Sequence, residues 1–365
     1  MKKIKATLIL LFTVLLISGC SKPLTAYEQT FYQTFDTAIR YLSYTESEAD
    51  FQEEYNLVKS EMERLHKLYD NFNSYEDIEN VMSLNQKAGQ GPIKVEEDLY
   101  NVIKFSVDNY EKTNKRVNIA MGRLVKLWND ARLHNVVSTI EVDQVHSEIP
   151  EDERILPSQE AIAQASQHSN MEDIILDEDA MTVELKDPEM LLDLGSVAKG
   201  YATELVAQKL IDRGVKHASI NAGGNVRMIG TPGDGREKWG LAIQNPDFTS
   251  SDFLEVLFIA DGSVVTSGDY QRYFEKDGTR YHHIIDPDTH YPGGDYSSVS
   301  IVTENSGLAD YLSTVMFLST KDEAYEILDR FEEEIGVLWY SETTALESTD
   351  NIKQYMRSEG AKSDK

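Results

Sequence analysis

Strand-forming segments crowd between residues 217 and 303, broken by Gly, Pro and Asp and framed on both sides by stretches of helical period. That order limits the possible folds. Apolar positions Phe51, Tyr55, Val58, Met62, Leu65 and Leu68 recur at helical spacing across 46–69. Further helices are predicted at 97–115, 121–128, 158–168 and 197–213, and again at 308–319 and 322–333. Residues 31–44 have strand character, 174–176 and 182–185 read as a hairpin, and 335–340 as a last buried strand. Helices, then strands, then helices favour an α+β fold, with a mixed or antiparallel sheet core flanked by helices, over a wound parallel sheet.

The N-terminus reads as a targeting segment. Lys2, Lys3 and Lys5 precede a 12-residue apolar run from Ala6 to Ile17, right for a signal sequence and short for a membrane span. It ends in Ile17-Ser18-Gly19-Cys20, and Cys20 is the chain's only cysteine. The segment resembles a bacterial lipobox, which implies that residues 1–19 are removed and Cys20 carries lipid. Residues 20–30 are then the lipidated tether, 31–345 a single domain and 346–365 a polar tail, expected to fray beyond Asn351. Residues 131–158, polar, acidic and holding Pro150 and Pro157, read as a surface insertion. A lipidated Cys20 leaves no thiol for a disulfide or a thiolate metal site. The expected place is the outer side of a cell membrane, held through the N-terminal lipid.

The 365 residues carry 35 Lys and Arg against 63 Asp and Glu, a net charge of −28. So acidic a surface repels nucleic-acid backbones. An anionic ligand therefore needs a metal or local dipoles to hold it.

Four short constellations could carry chemistry. Asp193-Leu194-Gly195-Ser196-Val197-Ala198-Lys199-Gly200-Tyr201 runs from an apolar strand through a turn into a helix. Free N–H groups at a helix start, with Lys199 beside them, suit phosphate. An ordinary capped turn explains the same residues. Ser196 and Lys199 also spell Ser-x-x-Lys, but Ser-Asp-Asn and Lys-Thr-Gly, needed for a serine acylase, do not occur. Asn221-Ala222-Gly223-Gly224-Asn225 could bring backbone N–H groups close to a ligand, or simply close a hairpin. Thr266-Ser267-Gly268-Asp269-Tyr270 precedes His282-His283-Ile284-Ile285-Asp286-Pro287, where at most one histidine can face a given pocket. Asp310 and Thr314 stack at i and i+4 and could serve a hard cation, or Thr314 could bond back to the Asp310 carbonyl.

The order of these motifs is more specific than any one. Asp-Leu-Gly-x-x-Ala-Lys-Gly-Tyr, Asn-Ala-Gly-Gly, Thr-Ser-Gly-Asp-Tyr, His-Ile-Ile-Asp-Pro and Ala-Asp-x-x-x-Thr, in that sequence, resemble the FAD:protein FMN transferases, the ApbE-like flavin transferases. The likeness runs from about Phe31 to Tyr340. It implies the family's α+β, T-fold-like architecture and transfer of FMN from FAD to a Thr or Ser hydroxyl of a target protein, with AMP released and Mg²⁺ required. By the same likeness Asp193, Lys199 and Ile284 contact FAD. So do Phe35 (in Phe35-Asp36-Thr37), Tyr69 and the Asn221, Gly223 and Gly224 loop. Asp310 and Thr314, with Ser196 and Ser313, are implied as metal ligands. Phosphoryl transfer needs positioning and charge neutralisation. His283 is the expected base for the incoming hydroxyl, with Lys199 beside the phosphates.

The chain departs from the family pattern in places. Asn225 replaces an acidic residue, Glu204 stands where Asp is common, and Val117-Asn118 occupies the place of a Phe-Asp pair near the flavin. His290 replaces a turn glycine, which implies a left-handed residue at roughly 1–2 kcal/mol. Two other functions use the same residues: hydrolysis of FAD to FMN and AMP, and flavin binding without catalysis.

Overall fold

The computed structural model describes residues 23–135, 149–250 and 252–364. The signal segment and Cys20 lie outside the described residues. Eight strands form one sheet whose spatial order follows the sequence: Thr25–Thr34, Thr37–Thr45, His217–Ala222, Asn225–Gly230, Gly262–Gly268, Ser298–Thr303, Gly336–Ser341 and Ala345–Ser348. Every neighbouring pair is antiparallel. The expected α+β class holds, and the sheet is antiparallel rather than mixed.

Alternation along each strand buries both faces. Ile39 and Tyr41, Val265, Val299 and Ile301, and Val337 and Trp339 point into the larger core. Covering that face are the helices Glu48–Tyr69, Glu97–Tyr110, Ala198–Asp212 and Ser306–Leu318. Val264, Met228, Val302 and Leu338 point the other way, into a smaller core shared with the strands Trp239–Ile243 and Glu255–Ile259. A third cluster joins the Gly122–Asn135 and Gln159–Ser166 helices to the hairpin Tyr273–Lys276 and Thr279–His282.

Local signals fix the main helices. Ser47 caps the 48–69 helix by accepting from Asp50 N (3.2 Å), with Glu48 and Asp50 in the first turn and His66 and Lys67 in the last. Asn305 caps the 306–318 helix by accepting from Leu308 N (2.9 Å). That helix is buried over almost its whole surface, as its apolar composition demands.

Several sequence expectations change. Residues 25–30, expected in the tether, belong to the first strand, because they pair with 40–45. The single strand expected over 31–44 is a hairpin turning at Phe35 and Asp36, both at positive φ (55° and 51°). The insertion begins later than 131, because the 122–135 helix runs on to Asn135. There the Asn135 amide donates to Ile155 O (2.7 Å) and accepts from Ile155 N (2.9 Å). The polar tail is built into the fold: its start pairs as a strand at 345–348, and beyond Asn351, where fraying was expected, Ile352 and Met356 are buried in the smaller core. Among the described residues, no helix is long and apolar enough to cross a membrane.

Candidate active site

The turns that matter gather at one end of the sheet. Arg40 pairs with Asn221 and Ile39 with Ala222, so the Phe35-Asp36 turn lies beside the Gly223-Gly224 turn. The two touch closely: a Cβ on Gly223 would lie 2.2 Å from Thr37 Oγ1, and Gly223 has φ 59°. No other residue fits there. Asn221 Oδ1 accepts from Gly224 N (3.1 Å), so its side chain closes the turn. Phe35 N donates to His66 Nδ1 (3.4 Å), and the Phe35 ring stands edge-on to His66 and tilted against Tyr69. Val265 pairs with Asn225, so Thr266, Ser267 and Gly268 run on past the glycine turn at the same end.

Two helices meet there. Gly200, in the first turn of the 198–212 helix, donates its N–H to Asp310 Oδ2 of the 306–318 helix (2.8 Å). The approach depends on glycine, because a Cβ on Gly200 would lie 2.3 Å from Ser306 O and 2.4 Å from Asp310 Cβ. Burial raises the Asp310 pKa, and the Lys199 charge and the Gly200 N–H pull it back. Asn225 is close enough to lower it further, but its buried Nδ2 completes no hydrogen bond. A buried carboxylate and a buried amide without its partner call for a further group between them. Glu204 sets this geometry from behind, accepting from Ser306 N (2.7 Å) and Arg227 Nε (3.2 Å).

The hydroxyls sort differently from expectation. Ser313 Oγ donates to Asp310 O (2.8 Å) and lies 2.7 Å from Ser267 Oγ, fully buried. Its bonding capacity is largely taken, so it ties the helix to the 262–268 strand instead of serving as a free ligand. Thr314 remains half-buried, 3.5 Å from Ser267 Oγ, and it is Ser313 that makes the backbone bond considered for Thr314. Ser196 has no side-chain hydrogen bond among the described residues. Ser267 and Asn225 join the set that sequence reasoning left incomplete. No cluster of three His, Cys, Asp or Glu suited to a metal occurs among the described residues. One carboxylate with hydroxyls and an amide still fits a hard cation whose other positions go to water and phosphate.

Asp193 lies on the approach to the 198–212 helix. Its carboxylate accepts from Gly195 N and Asn71 Nδ2 (both 2.8 Å), and desolvation raises its pKa. Asn85 clamps the preceding residue through both of its amide atoms. Asn71 is a partner no local pattern announced, since it lies 122 residues away. Three expected FAD contacts are not available as side chains. Val117 is buried in the larger core. The Asn118 amide is engaged with Ser169 O and Ala120 N (both 2.8 Å). Ile284 is buried, its N–H donated to His282 Nδ1 and its carbonyl accepting from Gly293 N. Tyr69 is also buried, with its hydroxyl on Asp98 O (3.2 Å), so it backs Phe35.

The two histidines part company. His282 is buried edge-on to Phe317, and burial lowers its pKa to about 4. His283 is open to solvent. The protein nevertheless closes around it enough that lost hydration, then the charges of Arg272, His282, Lys199 and Arg132, hold its pKa well below the usual histidine value. A base that is neutral and reachable from solvent can take a proton. The Lys199 charge lowers the pKa of both Asp310 and His283.

The chain is similar to known proteins. The chain is 33% identical over 264 residues to the FAD:protein FMN transferase of Treponema pallidum, covering 69% of this chain and 68% of that one. It is 28% identical over 359 residues to that of Vibrio cholerae, covering 96% of each. The crystal structure of an ApbE protein from Thermotoga maritima matches with a TM-score of 0.74 at 27% identity, over 91% of this chain and 99% of that one. The ApbE family model matches residues 25–339, from the first strand to the seventh, with both helices of the Gly200–Asp310 contact inside it. This chain belongs to the ApbE family.

Proposed function

We propose that this protein transfers FMN from FAD to a serine or threonine hydroxyl of a target protein, with Mg²⁺, while anchored to a membrane through lipidated Cys20. The observation that carries the reading is the Gly200–Asp310 contact, which joins a helix N-terminus, a lysine and a buried carboxylate in one place. A dinucleotide's pyrophosphate needs such a combination in a chain of net charge −28. Asp310, Thr314 and Ser196 are the residues that would hold Mg²⁺, with Asn225 beside them. The ion supplies neutralisation of the pyrophosphate charge that grows as the bond breaks.

In the reaction the acceptor oxygen forms a bond to the phosphorus of the FMN half. The bond from that phosphorus to the bridging oxygen breaks, and AMP leaves with the electron pair. His283 accepts the hydroxyl proton. Lys199 holds the phosphate oxygens at the start of the 198–212 helix. Phe35 offers its ring, and Asp193 its carboxylate, to the rest of the dinucleotide.

The test incubates the soluble chain from Ser21 with FAD, Mg²⁺ and a panel of threonine-bearing polypeptides. Expected results are flavin fluorescence on a denatured acceptor band and one AMP per flavin bound. Free FMN with AMP and no labelled band identifies a pyrophosphatase. Bound FAD with no AMP identifies a flavin-binding protein. Asp310→Ala is expected to abolish AMP release.

A further inference from the structure

A helix leaves its first N–H groups without partners inside the helix. Here two helices supply each other. Gly200, in the first turn of the 198–212 helix, donates to Asp310 Oδ2 of the 306–318 helix (2.8 Å). Ser306, at the start of the 306–318 helix, donates to Glu204 Oε2 of the 198–212 helix (2.7 Å). Gly200 and Glu204 are one turn apart, and so are Ser306 and Asp310. The two bonds therefore lie side by side where the helices cross. Neither carboxylate can move without releasing the first turn of its neighbour.

Glu204 is itself held from the sheet. Arg227, only 3% exposed, donates through Nε to the same Glu204 Oε2 (3.2 Å). Its Nη1 donates to Asp261 Oδ1 and to the Met228 carbonyl. Asp261 Oδ1 also accepts from Gly262 N (2.9 Å), so the guanidinium is tied to the start of the 262–268 strand. Arg227 and Asn225 are two residues apart on one strand and both buried, so they point to the same side. The Glu204 contact shows that this is the side the helices cover.

Arg227 thus reaches Asp310 through three links: to Glu204, from Glu204 to Ser306, and along one helical turn to Asp310. A buried ion pair adds little stability over a well-packed apolar pair, because lost hydration offsets the attraction. What it does supply is direction. A guanidinium anchored at Nη1 offers its Nε at one place, and a carboxylate bound there is also aimed at Ser306 N.

We propose that Arg227 is a positioning residue: by fixing the Glu204 carboxylate on Ser306 N it sets the turn of the 306–318 helix that presents Asp310. This rests on Asp310 serving Mg²⁺, as in the function proposed above. Groups that orient a metal's ligands are worth roughly 10–100-fold in metal affinity when removed.

The experiment compares full-length wild type with Arg227→Met, Arg227→Lys and the double variant Glu204→Leu/Arg227→Met. Ile352→Ala, in the smaller core, serves as a control for lost stability. Two readouts need no turnover. Amide hydrogen exchange at Gly200 and Ser306 is followed in the ligand-free protein, and FAD affinity, read from flavin fluorescence, is measured against Mg²⁺ concentration. Arg227→Met is expected to speed exchange at both amides and to raise the Mg²⁺ requirement by roughly 10–100-fold. Arg227→Lys should recover part of each, since it keeps the charge without the fork. Ile352→Ala should change neither, however far its unfolding midpoint falls. Should Arg227→Met misfold, the double variant carries the test: it leaves no unpaired charge, and it is expected to show the same loss at Gly200. If an Arg227 variant lowers stability but leaves Gly200 exchange and the Mg²⁺ requirement as in wild type, the arginine is merely structural and the proposal is overturned. If FAD binds wild type equally well at every Mg²⁺ concentration, the Mg²⁺ reading fails separately. Exchange at Gly200 then decides alone, and an unchanged rate in Arg227→Met rules the positioning role out.

Discussion

His283 owes its fitness for the proposed role of base to where the 279–282 strand stops. One residue earlier the same side chain is His282, packed on Phe317 and of no use as a base. A depressed pKa means that His283 stays neutral until the pH falls below the ordinary histidine range. The sign follows directly: protonation removes the base, so the acid limb of kcat/KM should begin below pH ~6.5, with a plateau above it. His283→Asn is expected to cost roughly 10²–10⁴ in rate and to erase that limb. A limb centred at or above pH ~6.5 in the wild type would mean that another group titrates. His290 makes the opposite case, a residue that costs stability. It has φ 64°, in a turn where Asp286 O accepts its N–H (2.8 Å) and its own carbonyl accepts from Trp128 Nε1 (2.9 Å). Those are backbone groups, which glycine would keep. His290→Gly should therefore raise stability by about 1 kcal/mol in chemical denaturation, and a loss would show that the imidazole has a role of its own.

Among the elements, the 198–212 and 306–318 helices decide whether there is a site at all. Their approach is limited by atoms that would overlap any side chain at position 200. Gly200→Ala should push them apart, costing about 1–3 kcal/mol and moving Asp310 from the Gly200 N–H. Activity should fall much further than stability, because misplacement by an ångström is enough to spoil positioning. Equal melting temperature and equal activity would show that the contact is slack. The motifs around these helices were legible because glycine, helix starts and isolated acids leave local marks. Asn71 stood in none of the motifs, and Ser267 and Asn225 stood in theirs without an assigned role. Their roles come from partners 122, 46 and 85 residues away in the chain, a pairing no period encodes. Val117 and Asn118 show the converse. They lie beside the Asp193 segment, since Ile119 O accepts from Asp193 N (2.9 Å), but core packing holds the Val117 side chain and the Ser169 and Ala120 bonds engage the Asn118 amide.

At the scale of the molecule, a sheet buried on both faces needs two covers, and the sequence advertises only one. The helices over the larger core carry a clear 3.6-residue period. The cover over the smaller core is a hairpin and a C-terminal segment too short and too polar to show one. That is why residues 346–365 read as a tail. In fact Ile352 fills the space left open by Gly336, with Ile352 Cβ 3.1 Å from where a Gly336 Cβ would stand. Thr349 Oγ1 accepts from Val337 N (3.0 Å), and Met356 bridges to Leu257. The two accounts give different stabilities. A fraying tail would let Ile352→Ala pass within about 0.5 kcal/mol, as surface changes do. A buried plug loses methyl groups and leaves a cavity between the sheet and the 239–259 hairpin, at about 2–5 kcal/mol. Denaturant unfolding of Ile352→Ala beside Lys362→Ala, an exposed change in the same segment, separates them. Only the first should shift the midpoint. If neither does, the smaller core is closed without the C-terminus, and Leu338 and Val302 must be covered by the hairpin alone.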